Sequence, residues 1–197
     1  MTKVGVLALQ GDFAEHLLVL RRMGVSTSEV RLPADLVQVD GLIIPGGEST
    51  TISRLVDVYE LRSPLVQRAR EGMPLFGTCA GLVMLAREVV KDNSVVPLGL
   101  VDIQVQRNAF GRQTDSFEAD LPVPAIGPEP FPAVFIRAPI VCQVGERVET
   151  MAALEDGRVV AVRQGSFLAT AFHPELTQDT RLHRYFVEMV KAFGRGS

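Results

Sequence analysis

The first half of the chain alternates short apolar runs with amphipathic segments. Residues 4–9, 41–44 and 74–77 are apolar and short enough for buried strands. Between them lie segments such as residues 12–20, in which apolar side chains recur at helical spacing. Strands that alternate with helices form βαβ units, whose strands pair in parallel. We therefore expect a three-layer α/β fold with a mostly parallel central sheet flanked by helices.

The second half adds strands of a different kind. Between residues 101 and 167, alternating apolar and polar residues are separated by glycine and proline turns, a pattern typical of half-buried antiparallel strands. Residues 167–172 predict a further buried strand, and the closing helix has one apolar face, which consists of Leu182, Tyr185, Phe186, Met189 and Val190. We interpret the proline-rich residues 122–132 as a surface connection, and residues 1–197 as a single domain.

Composition and charge exclude several classes of protein. The 197 residues are 47% hydrophobic and 22% charged, which is typical of a globular chain, and the net charge of -3 offers no basic surface to nucleic acid or to an anionic membrane. No segment resembles a signal peptide or could span a bilayer. Only two cysteines, Cys79 and Cys142, are present, which favours a reducing compartment without disulfides or a zinc site. We expect a cytoplasmic protein.

One of these cysteines lies at a turn from strand to helix. Residues 77–81 read Gly-Thr-Cys-Ala-Gly, the cysteine counterpart of the nucleophile elbow. On such a turn only small neighbours avoid collision, and the partial positive charge of the helix N-terminus favours a thiolate. The backbone N–H of Ala80 would point toward the same space and could stabilise an oxyanion. We predict that Cys79 is a nucleophile; the alternative is an ordinary buried thiol.

A thiolate nucleophile requires an imidazole, and one histidine follows a predicted strand directly. His173 comes after the apolar residues 167–172 and is followed by Pro174 and Glu175. In extended backbone, residues two apart share a side, so Glu175 would reach and orient the His173 ring. The sequence therefore predicts a triad of Cys79, His173 and Glu175. The alternative is a surface His-Pro-Glu turn without a role.

The remaining two histidines are predicted to lie outside the chemistry. His16 belongs to an amphipathic helix, near its apolar border, where it would be packed or solvated. His183 falls off the apolar face of the last helix and is expected to be exposed. The helix that carries His16 begins with Asp12 and Glu15, which are spaced as in a capping box.

A third strand end carries two glycines, after residues 41–44. Paired glycines let backbone N–H groups turn toward a ligand, and we predict Gly47 as a second oxyanion donor beside that of Ala80. Glu48 would then be free to bind a cationic group such as the α-ammonium of a substrate. The alternative is a helix N-terminus capped by Ser49 or Thr50, and both interpretations can hold together.

Together these segments resemble the class I (triad) glutamine amidotransferases, whose fold is flavodoxin-like. Within that group the chain looks most like the glutaminases of pyridoxal 5'-phosphate synthases, which serve vitamin B6 synthesis. The resemblance covers residues 7–11, 45–51, 76–81, 107–113, 135–139 and 172–177. The elbow and the His-Pro-Glu segment belong to the wider class, whereas residues 107–113 and 135–139 are more specific to this family.

The resemblance implies an activity, a substrate site and a partner. The activity is hydrolysis of L-glutamine to L-glutamate and ammonia through a γ-glutamyl thioester. The substrate site would consist of Gly47, Glu48, Ser49, Arg107, Ile136 and Arg137. The ammonia would pass to a (β/α)8-barrel synthase subunit that makes pyridoxal 5'-phosphate, with low activity alone and residues 10–12 as a candidate contact. Neither a metal nor a bound cofactor is implied.

Other interpretations stay open at this point. The chain could be the glutaminase subunit of another amidotransferase complex, against which residues 107–113 argue. It could be a catalytically idle scaffold subunit, although such subunits usually lose the cysteine or the histidine that this chain retains. It could also be a stand-alone peptidase or γ-glutamyl hydrolase, which would be active without any partner.

Overall fold

The structure is a computed structural model, and it describes residues 2–107 and 116–194. The strands are β1 (Lys3–Leu7), β2 (Ser26–Val30), β3 (Gly41–Ile44), β4 (Leu75–Thr78), β5 (Ala86–Val89), β6 (Val101–Gln106), β7 (Ser116–Leu121), β8 (Phe131–Ile136), β9 (Ile140–Val144), β10 (Glu149–Ala153), β11 (Val159–Gln164) and β12 (Phe167–Thr170). The helices are α1 (Phe13–Arg22), α2 (Pro33–Leu36), α3 (Ser49–Val58), α4 (Arg62–Arg70), α5 (Ala80–Leu85) and α6 (Arg181–Gly194). Short 3-10 turns lie at Pro124–Ile126 and Pro174–Leu176.

Five parallel strands form the centre of the main sheet. Their order is β2-β1-β3-β4-β12, and each neighbouring pair is parallel. This is the flavodoxin-like order, with the last of the five strands supplied from the end of the chain. The prediction of a mostly parallel α/β sheet is confirmed, and its strands β3 and β4 lie close to the predicted residues.

The same sheet continues through strands that are antiparallel to their neighbours, apart from the parallel pair β5 and β6 at its edge. Beyond β12 the order is β11-β9-β6-β5, in which β11 is antiparallel to both β12 and β9. Strand β10 pairs with β11, and β7 and β8 form a separate antiparallel pair. Residues 122–132, predicted as a surface connection, join β7 to β8 and include the first two residues of β8. The predicted antiparallel additions are therefore confirmed.

The centre of the sheet is buried on both faces. All four residues of β3 and all four of β4 are buried, which is why these strands read as continuous apolar runs without alternation. Helix α6 buries Leu182, Phe186 and Val190, which confirms part of its predicted apolar face. None of the helices in the described residues is long and apolar enough to cross a membrane. The single-domain organisation stays a prediction.

Candidate active site

Three neighbouring strands of the sheet end in the residues that the sequence singled out. Strand β4 lies between β3 and β12, and all three run in parallel. Gly46 follows β3, Cys79 follows β4 and His173 follows β12. Because parallel strands present their carboxyl ends at one edge, these residues converge there, where ligands bind in folds of this kind.

Cys79 lies on a strained turn between β4 and α5. Its backbone has φ 49° and ψ -101°, a left-handed conformation that is costly for a residue with a side chain. The Cys79 N–H donates to Thr170 O over 2.8 Å, and Cys79 Sγ lies 3.9 Å from Ile136 O. The thiol is 7% exposed. The strain at this position is the geometry expected of a nucleophile elbow.

Glycines on both sides of the elbow allow the chain to close on itself. A Cβ on Gly81 would overlap the carbonyl oxygen of Ile44, because the first turn of α5 packs against the end of β3. A Cβ on Gly77 would press on the backbone of Gly81. The predicted need for small neighbours at both positions is therefore confirmed by the packing.

His173 and Glu175 lie together as predicted, but the backbone conformation that connects them differs from the prediction. His173 Nδ1 is 2.7 Å from Glu175 Oε1, and both side chains are almost fully buried. The connecting backbone is not extended: Pro174–Leu176 is a 3-10 turn, because Pro174 at its first position already has the required φ. The backbone N–H of His173 donates to Val134 O over 2.8 Å, which anchors the turn.

The surroundings of His173 favour its protonated form. Burial lowers its pKa, but hydrogen bonds to Asp12, Cys79 and Glu175 outweigh burial and raise the pKa of His173 to about 12. Burial raises the pKa of Glu175, and the hydrogen bond and charge of His173 act in the opposite direction. The arrangement therefore holds a charged proton donor beside the Cys79 side chain.

Asp12 is a member of this cluster although its sequence context predicts a helix cap. The predicted capping box is wrong, because the Asp12 side chain makes no capping hydrogen bond to α1. Instead Asp12 Oδ2 lies 3.4 Å from His173 Nδ1, and the hydrogen bond to His173 holds the pKa of Asp12 below its usual value. Residues far apart in the chain meet here, so no local pattern could have revealed the contact.

The glycine turn after β3 is held by the segment before α1. The Asp12 N–H donates to Gly46 O over 3.0 Å, and the Glu48 N–H donates to Gln10 Oε1 over 2.8 Å. Gly47 has φ 148°, a conformation that favours glycine. The structure thus places Gly47 beside the segment that we predicted as a partner contact, and Ala80 opens α5 beside Cys79. Their roles as oxyanion donors stay predictions.

Glu48 and Arg107, two predicted substrate-binding residues, contact each other. Arg107 Nη2 lies 2.7 Å from Glu48 Oε1, and Arg107 Nη1 lies 2.5 Å from Asp92 Oδ2. Glu48 is also the N-cap of α3, accepting from the backbone of Thr50, so the predicted caps Ser49 and Thr50 are wrong. Glu48 is therefore already paired, and Asp92 joins the group without a signal in the sequence.

The other predicted substrate-binding residues are placed differently. The carbonyl of Ile136 faces the Cys79 sulfur, whereas Arg137 is exposed and has a left-handed φ of 43°. Ser49 is buried in the first turn of α3. Residues 108–113, which carried much of the resemblance, lie outside the described part of the chain.

The two remaining histidines form a buried pair. His183 was predicted to be exposed, and this is wrong: both His183 and His16 have no exposed surface, and His16 Nδ1 lies 2.9 Å from His183 Nε2. The prediction failed because His183 does not face solvent. Its ring lies against the ring of Phe76 in β4, with the two ring centroids 6.0 Å apart. The packed alternative for His16 is confirmed.

Within the described residues, the acidic and imidazole groups of the site are spaced for hydrogen bonding and not for metal ligation. Among the described residues, Asp12, His173 and Glu175 bring possible ligand atoms within 4.8 Å of one another. His173 Nδ1 and Glu175 Oε1 are only 2.7 Å apart, however, which is a hydrogen-bond distance. Two ligands each about 2.0–2.2 Å from one tetrahedral ion would lie farther from each other. The geometry favours proton chemistry at this cluster.

Comparisons with known proteins agree on one family. Residues 6–192 match the SNO glutamine amidotransferase family. A protein of Herpetosiphon aurantiacus named pyridoxal 5'-phosphate synthase subunit PdxT is 60% identical, covering 93% of this chain and 98% of that protein. A protein of the same name from Dehalococcoides mccartyi is 54% identical, covering 97% of this chain and 98% of that protein.

Solved structures show the same fold. A crystal structure described as a glutamine amidotransferase superposes with a TM-score of 0.91 at 51% identity, covering 95% of this chain and 98% of the other. A protein of Thermoplasma acidophilum described as a putative GMP synthase component superposes with a TM-score of 0.70 at 19% identity, covering 99% of this chain and 96% of the other. The second likeness concerns the fold alone.

Proposed function

Because this chain belongs to the SNO glutamine amidotransferase family, we propose that it hydrolyses glutamine to glutamate and ammonia with Cys79 as nucleophile. The observation that carries the proposal is the convergence of three strand ends on one site. There a strained cysteine, a buried imidazole and a buried carboxylate lie in the order of a Cys-His-acid triad.

The reaction proceeds in two halves. The Cys79 thiolate attacks the γ-carboxamide carbon of glutamine, and the tetrahedral intermediate collapses as the protonated His173 gives its proton to the departing nitrogen. Ammonia leaves, and a γ-glutamyl thioester remains on Cys79. His173, now neutral, takes a proton from water, whose hydroxyl attacks the thioester carbonyl. Glutamate leaves, and the thiolate–imidazolium pair is restored, with Glu175 orienting the ring throughout.

Backbone donors would stabilise both tetrahedral intermediates. We assign this role to the N–H groups of Ala80 and Gly47, because Ala80 opens a helix next to the nucleophile and Gly47 lies on the neighbouring strand end. Gln10 and Asp12 bind the backbone of that glycine turn on both sides of Gly47. A partner that moved this segment would also move the turn.

The second part of the proposed function is the partner protein that receives the ammonia. We propose that it passes to a synthase subunit with a (β/α)8 barrel that makes pyridoxal 5'-phosphate. The support is that relatives 53–60% identical over at least 93% of this chain are named pyridoxal 5'-phosphate synthase subunits. We place the activity in the cytoplasm, since both cysteines are free thiols.

The test of this function is ammonia release from glutamine with and without the synthase subunit from the same organism. We expect faster hydrolysis in the mixture than by either protein alone, because docking against the segment of residues 10–12 would complete the oxyanion site. Hydrolysis that no synthase accelerates would contradict the proposed partner. Hydrolysis of peptides or γ-glutamyl peptides by the chain alone would identify a different enzyme.

Charge removal at the substrate site is expected to weaken glutamine binding. Arg107 suits the α-carboxylate of glutamine and Glu48 its α-ammonium, in charge-assisted bonds worth roughly 1.5–3 kcal/mol each. Arg107→Ala and Glu48→Gln should therefore raise KM for glutamine about tenfold or more, with a smaller effect on kcat. Steady-state kinetics of the complex measures both constants.

Matched controls lie at the opposite end of β4. Arg70 and Glu71 are exposed, and they precede β4 whereas Cys79 follows it. Arg70→Ala and Glu71→Gln remove the same charges and should leave KM unchanged. An unchanged KM in Arg107→Ala would show that this arginine only bridges Glu48 and Asp92.

A further inference from the structure

The buried histidine pair lies directly behind the triad acid. Glu175 uses Oε1 for His173, but its other oxygen, Oε2, is buried and makes no hydrogen bond to any described residue. His16 Nε2 lies 3.3 Å from that oxygen and 3.1 Å from Thr78 Oγ1. A proton on His16 Nε2 is therefore within reach of the acid and of the residue that precedes the nucleophile.

The surroundings determine which nitrogen of His16 carries the proton. Burial lowers the pKa of His16 well below its usual value and that of His183 to about 4, so both rings are neutral and each has one N–H. His183 Nδ1 is buried and makes no hydrogen bond within the described residues. A proton there would be an unpaired buried donor, which is costly, so the His183 proton belongs on Nε2.

This assignment propagates along the pair. His183 Nε2–H donates to His16 Nδ1, 2.9 Å away, which must then be the unprotonated nitrogen. The His16 proton is left on Nε2, where it faces Glu175 and Thr78. The opposite tautomer would place a lone pair against the carboxylate and leave a buried N–H of His183 without an acceptor. Only one of the two arrangements gives each ring N–H an acceptor.

We propose that His16, with its tautomer fixed by His183, is a positioning residue that presents an N–H to Glu175 Oε2 and Thr78 and thereby holds the triad acid as an oriented carboxylate. The proposal rests on the proposed function, because it concerns the same triad. It assigns a purpose to two buried polar side chains that the glutaminase reaction does not otherwise use. Asp12 and His16 are four residues apart at the start of α1, so one helix face contacts both ends of the His173–Glu175 pair.

The charged groups around Glu175 determine the direction of the pH effect. Burial and the negative charge of Asp12 disfavour the carboxylate, whereas His173, the N-cap of the same turn, favours it. His16 from α1 adds a neutral donor, and His183 from α6 contacts the other nitrogen of the His16 ring. Cys79 acts on His173 and not directly on the acid. Loss of the His16 donor would therefore raise the pKa of Glu175 and favour the neutral carboxyl form over the carboxylate.

The test compares three substitutions of His16 in the complex with its synthase. In His16→Leu we expect kcat/KM for glutamine to fall roughly 10- to 100-fold at pH 7, since the polar N–H that lies 3.3 Å from the buried carboxylate is replaced by an apolar group. The acid limb of its pH profile should move up by about one unit or more, so that the defect shrinks toward higher pH. A purely structural role would lower activity equally at every pH.

Two amide substitutions at position 16 distinguish the effect of the hydrogen-bond donor from the effect of the volume of the ring. Glutamine can place an N–H near the position of His16 Nε2, whereas asparagine reaches only the position of Nδ1. His16→Gln should therefore keep kcat/KM within roughly threefold of the unmodified protein, and His16→Asn should behave like His16→Leu. Equal effects of both amides would overturn the proposal.

A direct measurement covers the case in which His16→Leu does not fold. Ring 15N chemical shifts of the unmodified chain should show His16 and His183 both neutral and protonated on Nε2 at neutral pH. Protonation of His16 on Nδ1 would overturn the proposal. An unmodified complex that releases no ammonia would overturn the proposed function, whereas an active complex with an unshifted His16→Leu profile would overturn this inference alone.

Discussion

Cys79→Ala is expected to abolish ammonia release from glutamine, with a loss of about 10⁴-fold or more. Removing a nucleophile from a triad leaves only substrate binding and oxyanion stabilisation, which do not replace the covalent step. Alanine removes one sulfur atom from a buried site, so the fold should persist. The measurement is ammonia release by the complex, with thermal unfolding as the check on stability.

The matched control is Cys142→Ala. Cys142 is the exposed free cysteine of β9, and its replacement should leave activity unchanged. A glutamine-like alkylating agent should label Cys79 and not Cys142 in peptide mass spectrometry. Labelling confined to Cys142 would refute the assignment of the nucleophile.

The same variant separates ammonia production from ammonia use. A complex that contains Cys79→Ala should make no pyridoxal 5'-phosphate from glutamine but should make it from excess ammonium salt. Loss of the thiolate cannot affect the second route, because the thiolate acts before ammonia exists. A mutant complex that fails with ammonium as well would mean that Cys79 supports assembly or folding.

The sequence predicted those parts of the site that short segments encode. An elbow needs only five consecutive residues, and the strained φ of Cys79 with a glycine on each side follows from them. The His173–Glu175 contact likewise lies within three residues. Even there the reason was partly wrong, since a 3-10 turn and not extended backbone brings the two side chains together.

What the sequence did not predict depends on contacts between distant segments. Asp12 was interpreted as a helix cap because its local spacing fits one, yet its carboxylate faces an imidazole that lies 161 positions later, as the difference between 173 and 12 shows. His183 was placed in solvent because it stands outside the predicted apolar face of α6, although His16 and Phe76 occupy that side. Only the packing of α1, α6 and β4 decides these roles.

The order of the sheet explains why local reasoning still located the site. Strands β3, β4 and β12 are neighbours, although β12 is separated from β4 by most of the second half of the chain. Once these strands are parallel, whatever follows each of them meets at one edge. The three strand ends were therefore enough to propose the candidate site, and the topology supplied the distances.

His173→Ala is expected to reduce glutamine hydrolysis nearly as much as Cys79→Ala. In the proposed mechanism the His173 imidazolium stabilises the thiolate and protonates the departing nitrogen, and the neutral ring then accepts a proton from water, so all three steps lose their proton carrier. Although burial lowers the pKa of His173, hydrogen bonds to Asp12, Cys79 and Glu175 raise it overall, which indicates how strongly the site is built around the charged ring. Activity in the complex and the rate of Cys79 alkylation should both fall.

The double variant Cys79→Ala/His173→Ala tests whether the two residues act as one unit. Without the thiol, the imidazole has no nucleophile to activate, so the second substitution should cost little beyond the first. Independent roles would instead make the two losses multiply. Full multiplication of the two losses would show that Cys79 and His173 act independently. A His173→Ala variant whose alkylation rate equals that of the unmodified protein would show that Cys79 draws its reactivity from the helix N-terminus and the elbow and not from the imidazole.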